Sequence, residues 1–527
     1  MRPNGNRRER GAYFTPHAVA EALATWAIKS QSEIVVDPAA GKGDLLAAAE
    51  QRLRSLGRKR SPSIWGVELH SGTFQKLVAN FRGWSIDTEN ALEGDFFSHL
   101  ADLPKCHVVL MNPPYVRHHD IPVATRATMF KALDGASGSV DGRASAWAYF
   151  LAVSPNLLKA GGRLAAVLPT DLLASDYGAP VLAHLQKLFS TLNLIYCDGD
   201  VFPALSQQTI LLLADGRHKE DGRKADMKLR RVSYPVKGES SFSVASKRNG
   251  KTFTAGETLP RILAPKSALA IEARLMKRSD LKKIGDLAKI ELGYVTGDNG
   301  FFHLSAADAK RFGLSDTHLT KALTRERDLL GVRFTASDWK RRMKEGARDW
   351  LLTPSSGQSR AVKNLLKRKA AMEARNRYKC NIRTPWWRVP LAVPPRALMV
   401  YMGSKARIVS NTARAQVSNS FFRLVKIKGL SPSDLAVASL TSVFRLSAGL
   451  NARLLGGGLL KLEPSDAQRV LVPTHRIPAR DAWQVDRLLR FGQWEDACVL
   501  ADKLILARGL GWSRRLIESV RAAAAQL

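Results

Sequence analysis

The stretch Met111-Asn112-Pro113-Pro114-Tyr115 closes the apolar run His107 to Leu110. That places it at the carboxyl end of a strand, where open α/β sheets present their chemistry. An exocyclic amine on a nucleobase or an amide is a poor nucleophile, because its lone pair is delocalised into the π system. Two acceptors on its hydrogens, the Asn112 side-chain oxygen and the Pro113 carbonyl, would draw the nitrogen towards tetrahedral geometry. That stabilisation is greatest where positive charge develops at nitrogen, so it favours the transition state over the ground state. Pro113 and Pro114 stiffen the backbone that carries the acceptors, and Tyr115 offers a face on which a planar substrate can stack. The chemistry these residues suit is group transfer to nitrogen.

The electrophile needs its own site. Ile34 to Val36 runs into Asp37-Pro38-Ala39-Ala40-Gly41-Lys42-Gly43, a strand ending in a glycine turn that lets a ligand approach the backbone at a helix start. The next strand, Ile64 to Val67, ends in Glu68, 25 residues past Gly43. An acid that bonds ribose hydroxyls is expected there. A third unit supplies Gly94-Asp95-Phe96, a carboxylate and a ring for a purine edge and face, with Asn112 following 17 residues after Asp95. Leu46 stands where a phosphate-binding fingerprint has its third glycine, and Asp37 would repel pyrophosphate. The pattern therefore favours a ligand with ribose and adenine, no phosphates and a positive charge. S-adenosylmethionine satisfies all three conditions.

The elements that must hold these turns read as a parallel sheet with covering helices. Expected strands are Ile34 to Val36, Ile64 to Val67, His107 to Leu110, Arg163 to Leu168, Leu192 to Cys197 and Thr209 to Leu213. Expected helices include His17 to Ala27, Asp44 to Leu56, Ser71 to Phe81 and Trp147 to Leu158, the last stopping at Lys159-Ala160-Gly161-Gly162. The stretch from Tyr115 to Trp147 reads as loop, mobile around residues 134 to 139. After Leu213 the pattern dissolves to about Pro260, which marks a domain junction. Apolar positions from Asp481 to Leu527 have helical spacing. The fold class expected is α/β: a doubly wound, mostly parallel sheet, then a basic mixed α+β domain and a helical tail. The boundaries read as 1–235 catalytic, 236–280 linker, 281–475 second domain and 476–527 helical extension.

Charge divides the chain in the same place. Of 527 residues, the first 200 hold 21 basic and 19 acidic side chains, and the remainder 60 and 28. Residues 351 to 450 carry 18 basic groups and 2 acidic ones. So dense a field repels itself unless a polyanion is near, and a nucleic-acid backbone is the commonest one. The four cysteines have neither CxxC nor Cys/His spacing, so no zinc knuckle or disulfide framework is expected and the compartment reads as reducing. No apolar run reaches the roughly 18 residues that span a bilayer. His118 and His119 lack a third ligand and read as loop residues, so no metal is expected.

Together the motifs and their order resemble the γ-class DNA N6-adenine methyltransferases, the TaqI-like type with a C-terminal target-recognition domain. Gly11-Ala12-Tyr13-Phe14-Thr15-Pro16 looks like the family's leading cofactor motif, and Val201-Phe202-Pro203 like its last catalytic one. The resemblance implies that Tyr13, Phe14, Thr15, Pro16, Asp37, Ala39, Gly41, Gly43, Glu68, Asp95 and Phe96 line the S-adenosylmethionine site. It implies that Asn112, Pro113, Pro114 and Tyr115 hold an adenine flipped from duplex DNA, with Phe202 against its other face. The later chain is similar to the family's recognition region, and there Arg383, Trp386, Trp387, Arg388, Lys405 and Arg407 are the candidates for DNA contact. Double-stranded DNA is the expected partner. The role expected is modification in a restriction-modification or related phage-defence system, by a monomer in the cytoplasm on the nucleoid, with any nuclease on another chain. A protein glutamine N5-methyltransferase shares Asn-Pro-Pro-Tyr but needs no basic second half. An RNA base methyltransferase would also explain the charge, and a silent DNA-specificity subunit would have lost some of these acids.

Overall fold

The central strands of the first sheet are apolar on both faces because both faces are covered. Alternate residues along the central sheet enter different cores. Val36, Val109, Ala166, Leu194 and Leu212 join one, while Val35, Val108, Ala165, Ile195 and Leu211 join the other. Such continuous apolar runs mark a sheet sandwiched between helices.

The computed structural model describes residues 15–58, 63–133, 140, 142–198, 208–220, 222–233, 244, 250–355, 359–403, 405–454 and 459–527. The described residues up to Leu263, with Leu454, form one compact unit, and the other described residues from Ala264 form another. The first runs α1 (His17–Ala27), β1 (Val35–Asp37), α2 (Asp44–Ser55), β2 (Ile64–Glu68), α3 (Ser71–Gly83), β3 (Ala91–Glu93) and β4 (Cys106–Met111). There follow α4 (Val123–Ala132), α5 (Ala146–Val153), β5 (Leu158–Pro169), α6 (Gly178–Leu188), β6 (Phe189–Asp198), β7 (Thr209–Arg217), β8 (Asp226–Ser233) and β9 (Lys251–Phe253). Among the described residues the strand order is β3-β2-β1-β4-β5-β7-β6-β8-β9. The β3-to-β5 side is parallel, and β7 lies antiparallel to both β5 and β6. Helices α1 and α2 bury their apolar faces on one side of the sheet, and α5 and α6 on the other. The expected doubly wound fold is present.

The structure differs from the sequence reading in four local respects. The helix expected over Trp147 to Leu158 ends at Val153, giving way to a 3₁₀ turn over Ser154–Leu157. Pro155 lies in that turn and has no N–H to continue the ladder. Lys159 to Gly162 is therefore strand, within β5, not a helix stop. The stretch read as loop after Tyr115 contains α4, whose one buried residue, Met129, gives too little amphipathic signal to be seen. Beyond Leu213 the sheet continues: in β8, Met227 and Leu229 are buried while Lys228 and Arg230 are half-buried. Charges on the alternate positions hid that strand. The segment expected to be mobile, 134–139, lies outside the described residues.

Those strands also move the boundaries. The first unit extends past 235 to Leu263, and the expected linker is divided between the two units. In the second unit, α7 (Lys266–Leu275) and β10 (Leu281–Lys283) precede a sheet of β11 (Lys289–Leu292), β12 (Arg333–Phe334), β13 (Ala397–Val400), β14 (Arg407–Asn411) and β15 (Phe422–Val425). Its order is β11-β15-β13-β14-β12. The helical end is no appendage, because Val485, Leu489, Ile505 and Val520 share one core with Ala268, Met399 and Leu424. Asp486, 2% exposed, fixes this docking: it accepts bonds from the Arg333 backbone N–H (3.1 Å), Arg333 Nη2 (3.2 Å) and Arg490 Nε (2.7 Å). Asp486→Ala strips Arg333 of its carboxylate partner and leaves Arg490 with Asp338. It is expected to lower stability by about 2–3 kcal/mol in urea unfolding; a change below about 1 kcal/mol, the worth of a surface pair, would show that the other contacts of the helical end hold it without Asp486.

Candidate active site

β1 and β4 are not consecutive in the chain, yet they are parallel neighbours, with Val36 opposite Val109. Asp37 ends β1 and Asn112 follows β4, so both turns leave the same edge of the sheet where the strand order reverses. Asn112 is half-buried and its Nδ2 donates to Thr15 Oγ1 at 3.2 Å. In that bond the amide nitrogen faces Thr15 and the oxygen is turned the opposite way. Thr15 is 7% exposed and stands just ahead of α1, whose N-cap is Pro16. Pro113 is buried. Pro114 and Tyr115 are half-buried, and the Tyr115 ring packs against the core that contains Phe96 and Phe150.

In the glycine turn, Asp37 is 1% exposed and its Oδ1 accepts the Ala39 N–H at 2.9 Å. Gly41 has φ +59°, and a Cβ there would meet nothing within 4 Å; the turn is open on that side. At Gly43, φ +98°, a Cβ would press on Leu77 and Trp84 at 3.0 and 3.1 Å. Glu68 joins two turns, its Oε2 accepting the Gly41 N–H (2.9 Å) and its Oε1 the His70 N–H (2.8 Å). Each carboxylate oxygen has a second lone pair to spare for a hydroxyl donor.

Asp95 and Phe96 sit differently from what the sequence suggests. Phe96 is 2% exposed, stacked on Phe150 at 5.1 Å with Phe97 against its edge at 5.0 Å. The ring is a packed wall of the core and not a free plate. Asp95 Oδ1 accepts the Phe97 N–H at 3.3 Å, and its Oδ2 is 2.9 Å from the Thr128 hydroxyl of α4. Thr128 gave no sequence signal because its helix was not visible. Tyr13, Phe14 and Phe202 lie outside the described residues.

The candidates in the second unit divide by what their charges already hold. Arg383 donates to the backbone carbonyls of Thr296 and Val295, both at 2.6 Å. Arg407 is 9% exposed, bonded to Leu329 O (3.0 Å) and 3.5 Å from Glu326; burial lowers its pKa. Trp386 packs beside Phe301 and Phe302 at 5.7 and 6.3 Å. Trp387 is half-buried. Arg388 and Lys405 are exposed, Lys405 lying 4.7 Å above the Trp494 ring.

Two family models match most of the chain: N-6 DNA Methylase over residues 3–214, and the C-terminal domain of the type II methyltransferase M.Eco57I over residues 259–506. The chain belongs to the DNA N6-adenine methyltransferases. It is 23% identical over 481 residues to the type II methyltransferase M.AccI of Acinetobacter calcoaceticus, covering 88% of this chain and 85% of that one. To M.XamI of Xanthomonas campestris pv. amaranthicola it is 25% identical over 487 residues, covering 90% and 87%. Among solved structures, the fold is like that of the type IIL restriction-modification enzyme MmeI in complex with DNA. The TM-score is 0.54 at 12% identity, over 97% of this chain and 74% of that one. A DrdV–DNA complex gives 0.51 at 11% identity, over 93% and 58%. The enzyme methylates adenine N6 in DNA, which removes the glutamine and RNA readings, and its methyl donor is S-adenosylmethionine.

The residues present fit that donor. Burial raises Asp37 to about 8, the Ala39 N–H works against the shift, and the nearby charges of Glu68 and Asp44 add to it. A sulfonium cation beside this turn would favour the ionised carboxylate, and a phosphate would oppose it. The same shift has a consequence for stability. An unfolded aspartate ionises near pH 4, so between about pH 4 and 8 the unfolded chain carries the charge and the folded chain the proton. Folding therefore loses stability from this carboxyl as pH rises across that window, and none below it. Asp37→Asn is expected to gain in Tm over the parent progressively from pH 4 to 8 and then level off; a pH-independent difference would show Asp37 ionised throughout.

Proposed function

We propose that this enzyme modifies one specific DNA sequence, drawing the target adenine out of the duplex into the turn Asn112 to Tyr115. The carrying observation is that this turn and the acidic glycine turn leave adjacent parallel strands at one sheet edge. A nitrogen held at the first then lies beside a methyl donor held at the second. Asn112 Oδ1 and the Pro113 carbonyl accept the two N6 hydrogens and return the lone pair to nitrogen. Thr15 holds the Asn112 amide in the orientation this needs. Tyr115 stacks on one face of the base and Phe202, by the family resemblance, on the other. Thr15, Pro16, Asp37, Ala39, Gly41, Gly43, Glu68 and Asp95, with Tyr13 and Phe14, form the cofactor site, and Phe96, held by Phe150 and Phe97, is the packed wall behind it. S-adenosylmethionine supplies an electrophilic methyl group. Extruding the base costs a few kcal/mol, offset by phosphate contacts of the basic residues beyond Ala264, read here as the recognition half, with Arg388 and Lys405 among them.

Two near relatives are named type II methyltransferases, which supports a modification role beside a restriction nuclease on a separate chain. The enzyme works as a monomer, in the cytoplasm on the chromosome. Among the described residues no helix is long and apolar enough to cross a membrane.

Asn112→Ala is expected to cut methyl transfer by about 100-fold or more while leaving S-adenosylmethionine affinity by calorimetry unchanged; turnover near the parent rate would remove Asn112 from the reaction. Thr15→Val should lower kcat and Thr15→Ser restore it. A loss seen only in the KM for cofactor would place Thr15 with the cofactor alone.

A further inference from the structure

Three short helices of the second unit, α8 (Arg360–Leu366), α9 (Lys369–Arg375) and α10 (Tyr378–Asn381), turn apolar faces inward and cations outward. Val362, Leu365, Ala371, Ala374 and Cys380 are buried. Eight of the nine lysines and arginines from Arg360 to Arg383 are exposed, against Glu373 alone among acids. Arg377 lies 3.7 Å from Asp298, and Arg368 stacks 4.8 Å over Phe312. Arg360, Lys363, Lys367, Lys369 and Arg375 have no counter-ion among the described residues. The tip of this arm also shows two large apolar side chains to water: Tyr378 is 72% and Ile382 60% exposed. They stand one turn apart, the Ile382 N–H bonded to Tyr378 O at 3.3 Å.

Single exposed apolar residues are ordinary on protein surfaces. This pair is unusual because its mount is rigid. Just after Ile382, Arg383 clamps the carbonyls of Val295 and Thr296, and Cys380 Sγ reaches Thr296 O at 3.5 Å. At Gly297 a Cβ would come within 2.7 Å of that sulfur, so the two segments are in close contact. Beside the pair, Lys379 and Ile382 form part of the rim of a cavity of about 620 Å³ that Tyr294, Leu391 and Gln416 also line.

We propose that Tyr378 and Ile382 insert into the base stack of bound duplex DNA while Lys379, Arg375 and the arm's other cations hold the flanking phosphates. Nucleic acid offers dense negative charge and stackable apolar surface together, and the nucleic acid this enzyme acts on is DNA; apolar wedges between base steps and aromatic platforms are how proteins use both. The inference rests on the reading of the chain beyond Ala264 as the recognition half.

The test is anisotropy titration of fluorescein-labelled fragments of unmethylated plasmid DNA, at a series of salt concentrations, with the full-length enzyme. The double variant Tyr378→Ala/Ile382→Ala is expected to bind about tenfold more weakly, with the slope of log K against log salt unchanged because no charge is removed. Arg375→Gln/Lys379→Gln is expected to flatten that slope by roughly 2. Tyr378→Phe should keep parent affinity, and S-adenosylmethionine binding should be intact in all variants. Parent-like DNA binding by the double variant overturns the inference and leaves the recognition half standing. Parent-like affinity and salt slope in Arg375→Gln/Lys379→Gln as well would overturn the phosphate contacts. Loss of self-association in the double variant with DNA binding intact overturns it in favour of a second copy of the chain. A parent that binds no DNA overturns the recognition reading and this inference with it.

Discussion

Placing β1 beside β4 in parallel is the constraint on which the site depends. Two turns whose first residues, Asp37 and Asn112, are 75 apart in sequence become neighbours only because the chain crosses to β2 and β3 on one side, then returns to lay β4 against the other edge of β1. Both strands are buried on each face, so a one-residue slip would exchange the residues supplied to the two cores. Register is thus specified by packing alone, and the turns inherit it. Thr15 adds a third segment to the same edge through its bond to Asn112.

Electrostatics divides the labour. The first unit gathers acids around a glycine turn and leaves one of them, Asp37, buried with no cation beside it among the described residues. That arrangement costs folding stability and complements a positively charged ligand. The second unit carries the excess of lysine and arginine, but much of it is structural: Arg342 joins Asp328 and Asp349, and Arg490 joins Asp338 and Asp486. Many of the cations left over lie on the exposed faces of α8 to α10, with Arg388 and Lys405 outside them, and there the field is available to a polyanion. Both signs are concentrated where their ligands require them.

The catalytic unit was largely legible in the sequence, because buried parallel strands and glycine turns leave strong local patterns. His17–Ala27 matches its expected bounds, and β1, β2 and β4 lie within a few residues of theirs. What escaped has a physical cause in each case. β8 alternates apolar with charged residues and so resembles a solvated linker. α4 buries a single side chain. Phe96 could be recognised as aromatic but not as core, since only the tertiary fold puts Phe150 against it. Arg383 and Arg407 look like free cations in a basic stretch, although backbone carbonyls more than seventy residues away in sequence occupy them. In the second unit, strands of two to five residues built from distant segments carry no local signature.

The most direct test of the central claim is single-molecule sequencing, with modified-base detection, of DNA from a methylation-deficient host expressing this chain, beside one expressing Asn112→Ala. The account predicts N6-methyladenine within one sequence motif in the parent and none in the variant. Unmodified adenine throughout in a well-expressed parent, or the same pattern in both strains, would contradict it.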